Sequence, residues 1–249
     1  MLYQEHAFLD RFAAAAKDGF PAVEYIGPYS EPKEIVAEAL ERNGLRQALF
    51  NMPVGNWAAG DRGIACLPER VEEFRSGIDL ALDYAVALDC PKVNVLAGIA
   101  PVEADPAVLE ETLAGNLAFA APRFADRGVR LLLEPINLRD IPGYFVSTTD
   151  HAERVLDRVG DENLYIQYDI YHMQVMQGDL LRTIERLLAH IGHIQIADNP
   201  GRHEPGTGEI AFGRLLPAID ALGYTGYIGC EYTPKGDTLA GLSWARDWL

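Results

Sequence analysis

The hydrophobic and polar positions of this chain follow two alternating periods. Short apolar runs rich in Val, Ile, Leu and Tyr are separated by longer segments in which apolar residues recur every three or four positions. The first pattern is typical of buried strands, and the second is typical of amphipathic helices. Strands that alternate with helices of about ten or more residues indicate βαβ units and a parallel sheet.

This alternation predicts seven strands joined by helices. The strands are expected at residues 22–25, 47–51, 92–96, 129–134, 164–169, 191–195 and 224–231. The helices are expected between residue 8 and Gly19, and at residues 35–43, 70–88, 106–126, 151–159, 180–190, 212–222 and 239–249. The rhythm is uniform and no linker interrupts it, which indicates a single domain over residues 1–249.

The length of the chain points to one fold class. Its 249 residues are close to the roughly 250 typical of a (β/α)8 barrel. We therefore expect an α/β TIM barrel, although seven predicted strands are one fewer than a closed barrel has. The chain opens on a helix, so the first strand should be short or missing. Either the chain starts late, or residues 1–3 are what remains of that strand.

Four of the predicted strands end in a side chain that offers an oxygen ligand. These side chains are Glu134, Asp169, Gln195 and Glu231. In a parallel barrel the carboxyl ends of all strands meet at one mouth, so the four should converge there. Carboxylate and amide oxygens suit a hard divalent cation, with Mg²⁺ expected and Mn²⁺ as the alternative. The pattern predicts a metal-dependent enzyme.

Each of these residues also has a simpler structural explanation. Glu134 can be a surface residue at a loop start, and Asp169 can be a helix N-cap. Gln195 can satisfy backbone groups, and Glu231 can be an exposed edge residue. His193 is a competing ligand, because it lies on the same strand face as Gln195. The recurrence of oxygen ligands at four strand ends favours the metal site.

Four further residues are candidates for binding the substrate. His172 follows Asp169 by about one helical turn and can donate to a substrate oxygen or relay a proton. Arg202 can hold a substrate carboxylate through two parallel hydrogen bonds. Asn51 ends a predicted strand, and Trp57 lies in the loop that follows it. The alternatives are a histidine that only packs and a loop arginine that is only solvated.

Two connections are longer than the few residues usual between a strand and a helix. They cover residues 52–68 and 197–209, and both are rich in glycine. Both follow predicted strands, so they should lie at the mouth of the barrel. Loops of this kind are natural lids for an active site.

Charge and cysteine content limit the possible partners. The formal net charge is −16, which argues against nucleic acid or an anionic membrane as a partner. A small anionic substrate is still compatible, because a metal ion and a few Arg residues dominate the field inside a cleft. Three Cys without a CxxC motif support neither a disulfide framework nor a zinc knuckle, and they favour the cytoplasm. Neither a transmembrane run nor a signal peptide is predicted.

Several motifs together resemble the hydroxypyruvate isomerase family of xylose-isomerase-like TIM barrels. The resemblance runs nearly from end to end of the chain. It is carried by FNMP (50–53), GNWAAGDRGIAC (55–66), LEPIN (133–137), QYDIYHMQ (167–174), QIADNP (195–200), EPGTGEI (204–210) and GCEY (229–232).

The resemblance implies both a ligand set and a reaction. It implies metal ligation by Glu134, Asp169, Gln195 and Glu231, with the two Glu as the acid/base pair. The implied reaction interconverts hydroxypyruvate and 2-hydroxy-3-oxopropanoate through an enediolate. Closely similar proteins are 2-oxo-tetronate isomerases, so that substrate is the first alternative, and a ketose 3-epimerase is the second. A metal-dependent endonuclease and a non-catalytic binding protein are further alternatives. Barrels of this kind often pair, so a homo-oligomer is possible.

Overall fold

Seven parallel strands form one sheet in the computed structural model, which describes residues 1–246 and 248. The strands pair in chain order, each with the next along the sequence. They are β1 (Ala22–Tyr25), β2 (Arg46–Asn51), β3 (Lys92–Val95), β4 (Arg130–Leu133), β5 (Leu164–Asp169), β6 (Ile191–Ile196) and β7 (Ile228–Cys230). This is the nearly closed barrel of the predicted fold class, and it confirms the α/β TIM-barrel prediction.

Helices occupy the connections between the strands. They are α1 (Asp10–Lys17), α2 (Lys33–Asn43), α3 (Val71–Ala87), α4 (Pro106–Ala125), α5 (Thr149–Val159), α6 (Ile170–Met176), α7 (Leu180–Leu187), α8 (Phe212–Ala221) and α9 (Thr238–Gly241). Short 3₁₀ turns lie at Trp57–Ala59, Pro68–Arg70, Leu188–His190 and Leu242–Ala245. Among the described residues, none of these helices combines the length and apolarity needed to cross a membrane.

Helix starts follow from local chemistry. The Asp105 side chain accepts a hydrogen bond from the Ala107 N–H at 2.9 Å, and Pro106 occupies the first turn of α4. The Thr148 hydroxyl accepts from the His151 N–H at 3.2 Å at the start of α5. Both caps satisfy backbone donors that have no partner inside the helix.

Apolar side chains cover both faces of the sheet. The β4 residues Leu131, Leu132 and Leu133 are all fully buried, and every residue of β6 is buried. Outside the strands, α4 contributes Leu113 and Phe124 to the same core. This double burial is usual for parallel strands covered by helices, and it explains their nearly continuous apolar runs.

Three sequence expectations differ from the structure. The last strand is shorter than residues 224–231, because Gly226 and Gly229 give that segment little side chain to pack. A separate short helix, α6, follows β5 directly. The expected terminal helix is divided into α9 and a 3₁₀ turn, and residues 247 and 249 of that prediction lie outside the described residues.

No strand precedes β1 in the described part of the chain. Leu2 and Tyr3 lie in a turn and Met1 has no regular structure, so residues 1–3 are not the remainder of a first strand. The amino group of Met1 instead donates to the carbonyl oxygen of Tyr232, just beyond β7. A cavity of about 530 Å³ lies between β1 and β7 and extends inward to Glu134 and Gln195.

The two long loops are tied to the barrel by specific backbone contacts. Gly63 has φ +96° and lies against the carbonyl oxygen of Leu96, where a Cβ atom has no room. In the second loop, buried Asp198 accepts from the N–H groups of Gly206 and Gly208 at 2.9 Å each and from Ile210 at 3.0 Å. One carboxylate therefore organises the loop that carries Arg202.

Replacing Asp198 by Asn tests this loop organiser. An amide offers one acceptor oxygen where three N–H groups converge, so we expect D198N to lower the free energy of unfolding by about 1–3 kcal/mol. Urea unfolding at constant m-value measures the loss. The control is D237N, because exposed Asp237 caps α9 and Asn caps equally well. Equal stability of D198N and wild type would contradict the assignment.

Candidate active site

The four predicted ligands lie together at the carboxyl ends of β4 to β7. Glu134 follows β4, Asp169 ends β5, and Glu231 follows β7. Gln195 lies opposite Asp169 in the register of β5 and β6, and it pairs with Gly229 of β7 on its other side. The convergence expected from parallel strands therefore occurs at one mouth.

Three buried side chains form a cluster with the spacing of a metal site. Each of Glu134, Asp169 and His172 offers an atom within 4.8 Å of the other two. The His172 Nε2 lies 3.6 Å from Asp169 Oδ2 and 3.9 Å from Glu134 Oε1. This cluster is compatible with a divalent cation.

Asp169 caps a helix with one carboxylate oxygen and leaves the other without a donor. Its Oδ1 caps α6 by accepting from the N–H groups of Tyr171 at 2.7 Å and His172 at 3.3 Å. Its Oδ2 is buried and has no hydrogen-bond partner among the described residues. A buried carboxylate oxygen without a donor is costly, and a cation would satisfy it.

The protonation of His172 decides whether it is a ligand or a donor. The Asn137 amide is oriented by Asp140, whose N–H donates to Asn137 Oδ1 at 2.8 Å and whose Oδ2 accepts from Nδ2 at 3.2 Å. The same Asn137 Nδ2 lies 2.6 Å from His172 Nδ1, which must therefore be the acceptor. The Asn137 backbone N–H also points at Nδ1, at 3.5 Å, so the ring proton is assigned to Nε2, which faces the carboxylates. The 3.3 Å approach of Arg202 Nη2 to Nε2 is then a contact between two donors and not a hydrogen bond.

Arg202 connects Glu231 to the buried cluster. Its Nη2 lies 3.4 Å from Glu231 Oε1 and 3.8 Å from Asp169 Oδ2. It is also 3.3 Å from His172 Nε2. The guanidinium offsets the negative charge of the surrounding carboxylates, and Asp140 adds a further contact at 3.7 Å.

The environment shifts the pKa of three carboxyl groups and of His172. Burial raises the pKa of Glu134 well above its ordinary value, and the charges of Glu231 and Asp169 raise it further. Burial also raises the pKa of Glu231 and of Asp169, against the opposing charge of Arg202. Burial, and then Arg202, lower the pKa of His172 to about 3, so its ring is neutral. Carboxyl groups with raised pKa are suited to general acid–base work near neutral pH.

Gln195 occupies the remaining corner of the site. Its Oε1 accepts from Gln167 Nε2 at 2.6 Å, and its Nε2 donates to Glu24 Oε1 at 2.8 Å. An amide oxygen has two lone pairs, so it can take a second partner. His193 points away from the cluster, toward Glu24 at 2.6 Å.

Asn94, which the sequence analysis did not single out, links Asn51 to the cluster. Asn94 Nδ2 donates to Asn51 Oδ1 at 3.1 Å and to Glu134 Oε2 at 3.0 Å. Gln167 was missed in the same way. The available signal was a polar residue in the middle of an apolar strand, where it must face the barrel interior.

Trp57 lies farther out, on the first long loop. Its side chain is 42% exposed, and the Arg62 guanidinium stacks over the ring at 3.9 Å. Contact of Trp57 with substrate stays a prediction.

Comparison with known proteins agrees with this geometry. The model of the xylose isomerase-like TIM barrel family matches residues 12–248. A 2-oxo-tetronate isomerase from Cupriavidus necator is 49% identical over 249 residues, which is 100% of this chain and 96% of that protein. A hydroxypyruvate isomerase from Escherichia coli is 48% identical over 244 residues, which is 98% of this chain and 95% of that protein.

A solved structure extends the comparison to three dimensions. The crystal structure described as an AP endonuclease, family 2, from Brucella melitensis superimposes with a TM-score of 0.97 at 42% identity. The match covers 99% of this chain and 95% of that one. The chain therefore belongs to the xylose-isomerase-like TIM-barrel family, as its motifs predicted.

Proposed function

We propose that the chain is a metal-dependent isomerase that interconverts hydroxypyruvate and 2-hydroxy-3-oxopropanoate. The observation that carries the proposal is the pair Glu134 and Glu231, two enclosed carboxyl groups of raised pKa beside the unpartnered Oδ2 of Asp169. The names of the two isomerase relatives agree with this reaction class.

The first alternative substrate is a 2-oxo-tetronate. Identities of 49% to a relative named for that acid and 48% to one named for hydroxypyruvate do not separate the two. The acids differ by one CH(OH) group, so pocket contacts decide between them. An endonuclease is disfavoured by the net charge of −16, since DNA binding relies on neutralising phosphates.

The residues present fit a divalent cation. Glu134, Asp169, Gln195 and Glu231 would hold it, and these hard oxygen donors suit Mg²⁺ or Mn²⁺. Asp169 Oδ2 is buried and lacks a donor, which supports this assignment. When bound, the cation supplies Lewis-acid polarisation of the substrate carbonyl and offsets the charge that develops on its oxygen.

The two Glu side chains move the proton. One carboxylate of the pair takes a proton from carbon 3 of hydroxypyruvate, next to the carbonyl, which gives the enediolate. The pair then returns a proton to carbon 2, while the hydroxyl proton passes from the oxygen on carbon 3 to that on carbon 2. Raised pKa values make both groups stronger bases than an ordinary carboxylate, and the protonated form is available as the acid.

Neutral His172 and charged Arg202 hold the substrate. The Nε2–H of His172 faces the cluster and can donate to a substrate oxygen. The fork of Arg202 matches a carboxylate through two parallel hydrogen bonds. The loop with Trp57 would close over the site and exclude water from the enediolate. A cytoplasmic location and a homo-oligomeric state stay predictions.

Replacing either carboxyl group of the pair tests the proposed chemistry. We expect E134Q and E231Q each to lower kcat by about 10²–10⁴, the usual contribution of general acid–base catalysis. Steady-state kinetics on hydroxypyruvate measures the loss. E111Q is the control, because Glu111 is exposed on α4. An E231Q variant that binds metal and substrate yet turns over normally would refute the assignment.

The raised pKa of Glu134 also predicts how stability depends on pH. The pKa of Glu134 is about 4.3 in the unfolded chain and higher in the folded protein. At a pH between these two pKa values, the unfolded chain holds fewer protons than the folded one. The free energy of unfolding therefore falls as pH rises through this window. We expect metal-stripped wild type to lose stability relative to E134Q as pH rises above the unfolded value.

Urea unfolding of both proteins in chelator measures this difference. His172 makes an opposite contribution, because its lowered pKa destabilises the folded protein as pH falls below the ordinary value of about 6.5. Subtracting the stability curve of one protein from that of the other removes this contribution. E111Q should run parallel to wild type. Parallel curves for E134Q and wild type would show that the pKa of Glu134 is not raised.

A further inference from the structure

A series of polar contacts links Lys92 to Gln195 and continues to Gln167. Lys92 Nζ lies 3.2 Å from His193 Nδ1, and His193 Nε2 lies 2.6 Å from Glu24 Oε2. The other oxygen of Glu24 accepts from Gln195 Nε2 at 2.8 Å. Finally, Gln167 Nε2 donates to Gln195 Oε1 at 2.6 Å. This series of contacts connects residues of β1 and β3 with residues of β5 and β6.

The contact with Glu24 fixes which way the Gln195 amide points. An ionised carboxylate can only accept hydrogen bonds, whereas an amide has a donor end and an acceptor end. With the amide reversed, two oxygens would face each other at 2.8 Å. Glu24 therefore holds the nitrogen of Gln195 on its own side, which leaves the oxygen on the opposite side, where it accepts from Gln167 Nε2.

Glu24 is itself held in place by its surroundings. The Lys92 ammonium can only donate, so His193 Nδ1 accepts and its Nε2–H donates to Glu24. On the other side lies Gly229, where a Cβ atom would collide with the Glu24 carboxylate. Only glycine lets β7 approach this closely.

The charge state of Glu24 is consistent with this contact. Burial opposes its ionisation, but the interaction with His193, the hydrogen bonds of His193 and Gln195, and the charge of Lys92 outweigh that effect. As a result the pKa of Glu24 lies below its ordinary value. The geometry agrees, because both Glu24 oxygens face donor atoms, Nε2 of His193 and Nε2 of Gln195.

We propose that Glu24 is a positioning residue, which presents the amide oxygen of Gln195 to the divalent cation. The proposal rests on the proposed function, since it requires a cation at the cluster. Hydrogen-bonded partners of this kind orient a ligand before the metal arrives, and their loss typically weakens metal affinity by about 10- to 100-fold.

A double-mutant cycle on Mn²⁺ affinity tests this role. The variants are E24Q, Gln195→Ala and the double variant, and the dissociation constant is read from the electron paramagnetic resonance of free Mn²⁺. We expect E24Q to weaken binding by about 10-fold or more in the wild-type background. In the Gln195→Ala background it should change binding by less than about 2-fold, because contacts that act through a shared partner are not additive.

Glu24→Asp separates contact from charge. It keeps the negative charge and the acceptor oxygens, but it is one methylene too short to reach Gln195. We expect Mn²⁺ affinity to fall in this variant as well. The variant also gives a second test if E24Q does not fold, which circular dichroism checks.

The outcomes separate the two proposals. Equal effects of E24Q in both backgrounds, or wild-type affinity in Glu24→Asp, would overturn the positioning role while wild type still binds Mn²⁺ and turns over. Failure of wild type to bind Mn²⁺ would overturn the proposed function, and the positioning role with it.

Discussion

The arrangement of the mouth depends on one electrostatic constraint: three carboxylates share one enclosed space. Burial raises the pKa of Glu134, Asp169 and Glu231, and neighbouring carboxylates raise the pKa of Glu134 and Glu231 further. Such a cluster persists in a folded protein only if positive charge and donors compensate it. Arg202 supplies the charge, Asn94 donates to Glu134, and the start of α6 donates to Asp169. Asp169 Oδ2 is a buried carboxylate oxygen without a hydrogen-bond donor among the described residues, and there the chemistry points to a cation.

The scaffold makes this concentration of charge possible. Parallel strands bring their carboxyl ends to one edge, and apolar packing on both faces of the sheet keeps those ends fixed. The second long loop is equally important, because Asp198 holds three of its N–H groups and the loop carries Arg202. Asp198, a buried acid outside the cluster, thus helps to position the guanidinium of Arg202 inside it.

Most of the barrel could be predicted from the sequence, because buried parallel strands leave strong apolar runs. The predicted bounds of β1 and β5 match the structure, and the family prediction is confirmed. Hydrophobic periodicity gives a weaker signal where side chains are small, so the strand predicted at residues 224–231 is longer than β7. The helix α6 was indicated only by the alternative interpretation of Asp169 as an N-cap, because this residue is both the last residue of β5 and the cap of α6.

The site itself was only partly visible in the sequence. Strand-end carboxylates stand out, because a charged residue after an apolar run needs an explanation. The groups that orient them do not, since Asn94, Gln167 and Glu24 are single polar residues in strands whose partners lie far away in the chain. The tautomer of His172 depends on Asn137 and Asp140, a three-dimensional arrangement that no spacing reveals.

The central claim is a metal-dependent proton transfer at the carbon next to the carbonyl. Its most direct test is nuclear magnetic resonance of metal-stripped protein in deuterated water, resupplied with Mg²⁺ or Mn²⁺ and given hydroxypyruvate or a 2-oxo-tetronate. The account predicts isomerised product with deuterium at carbon 2, the former carbonyl carbon that receives the proton, only when the cation is present, and the faster acid identifies the substrate. No conversion of either acid by protein with bound cation would contradict it.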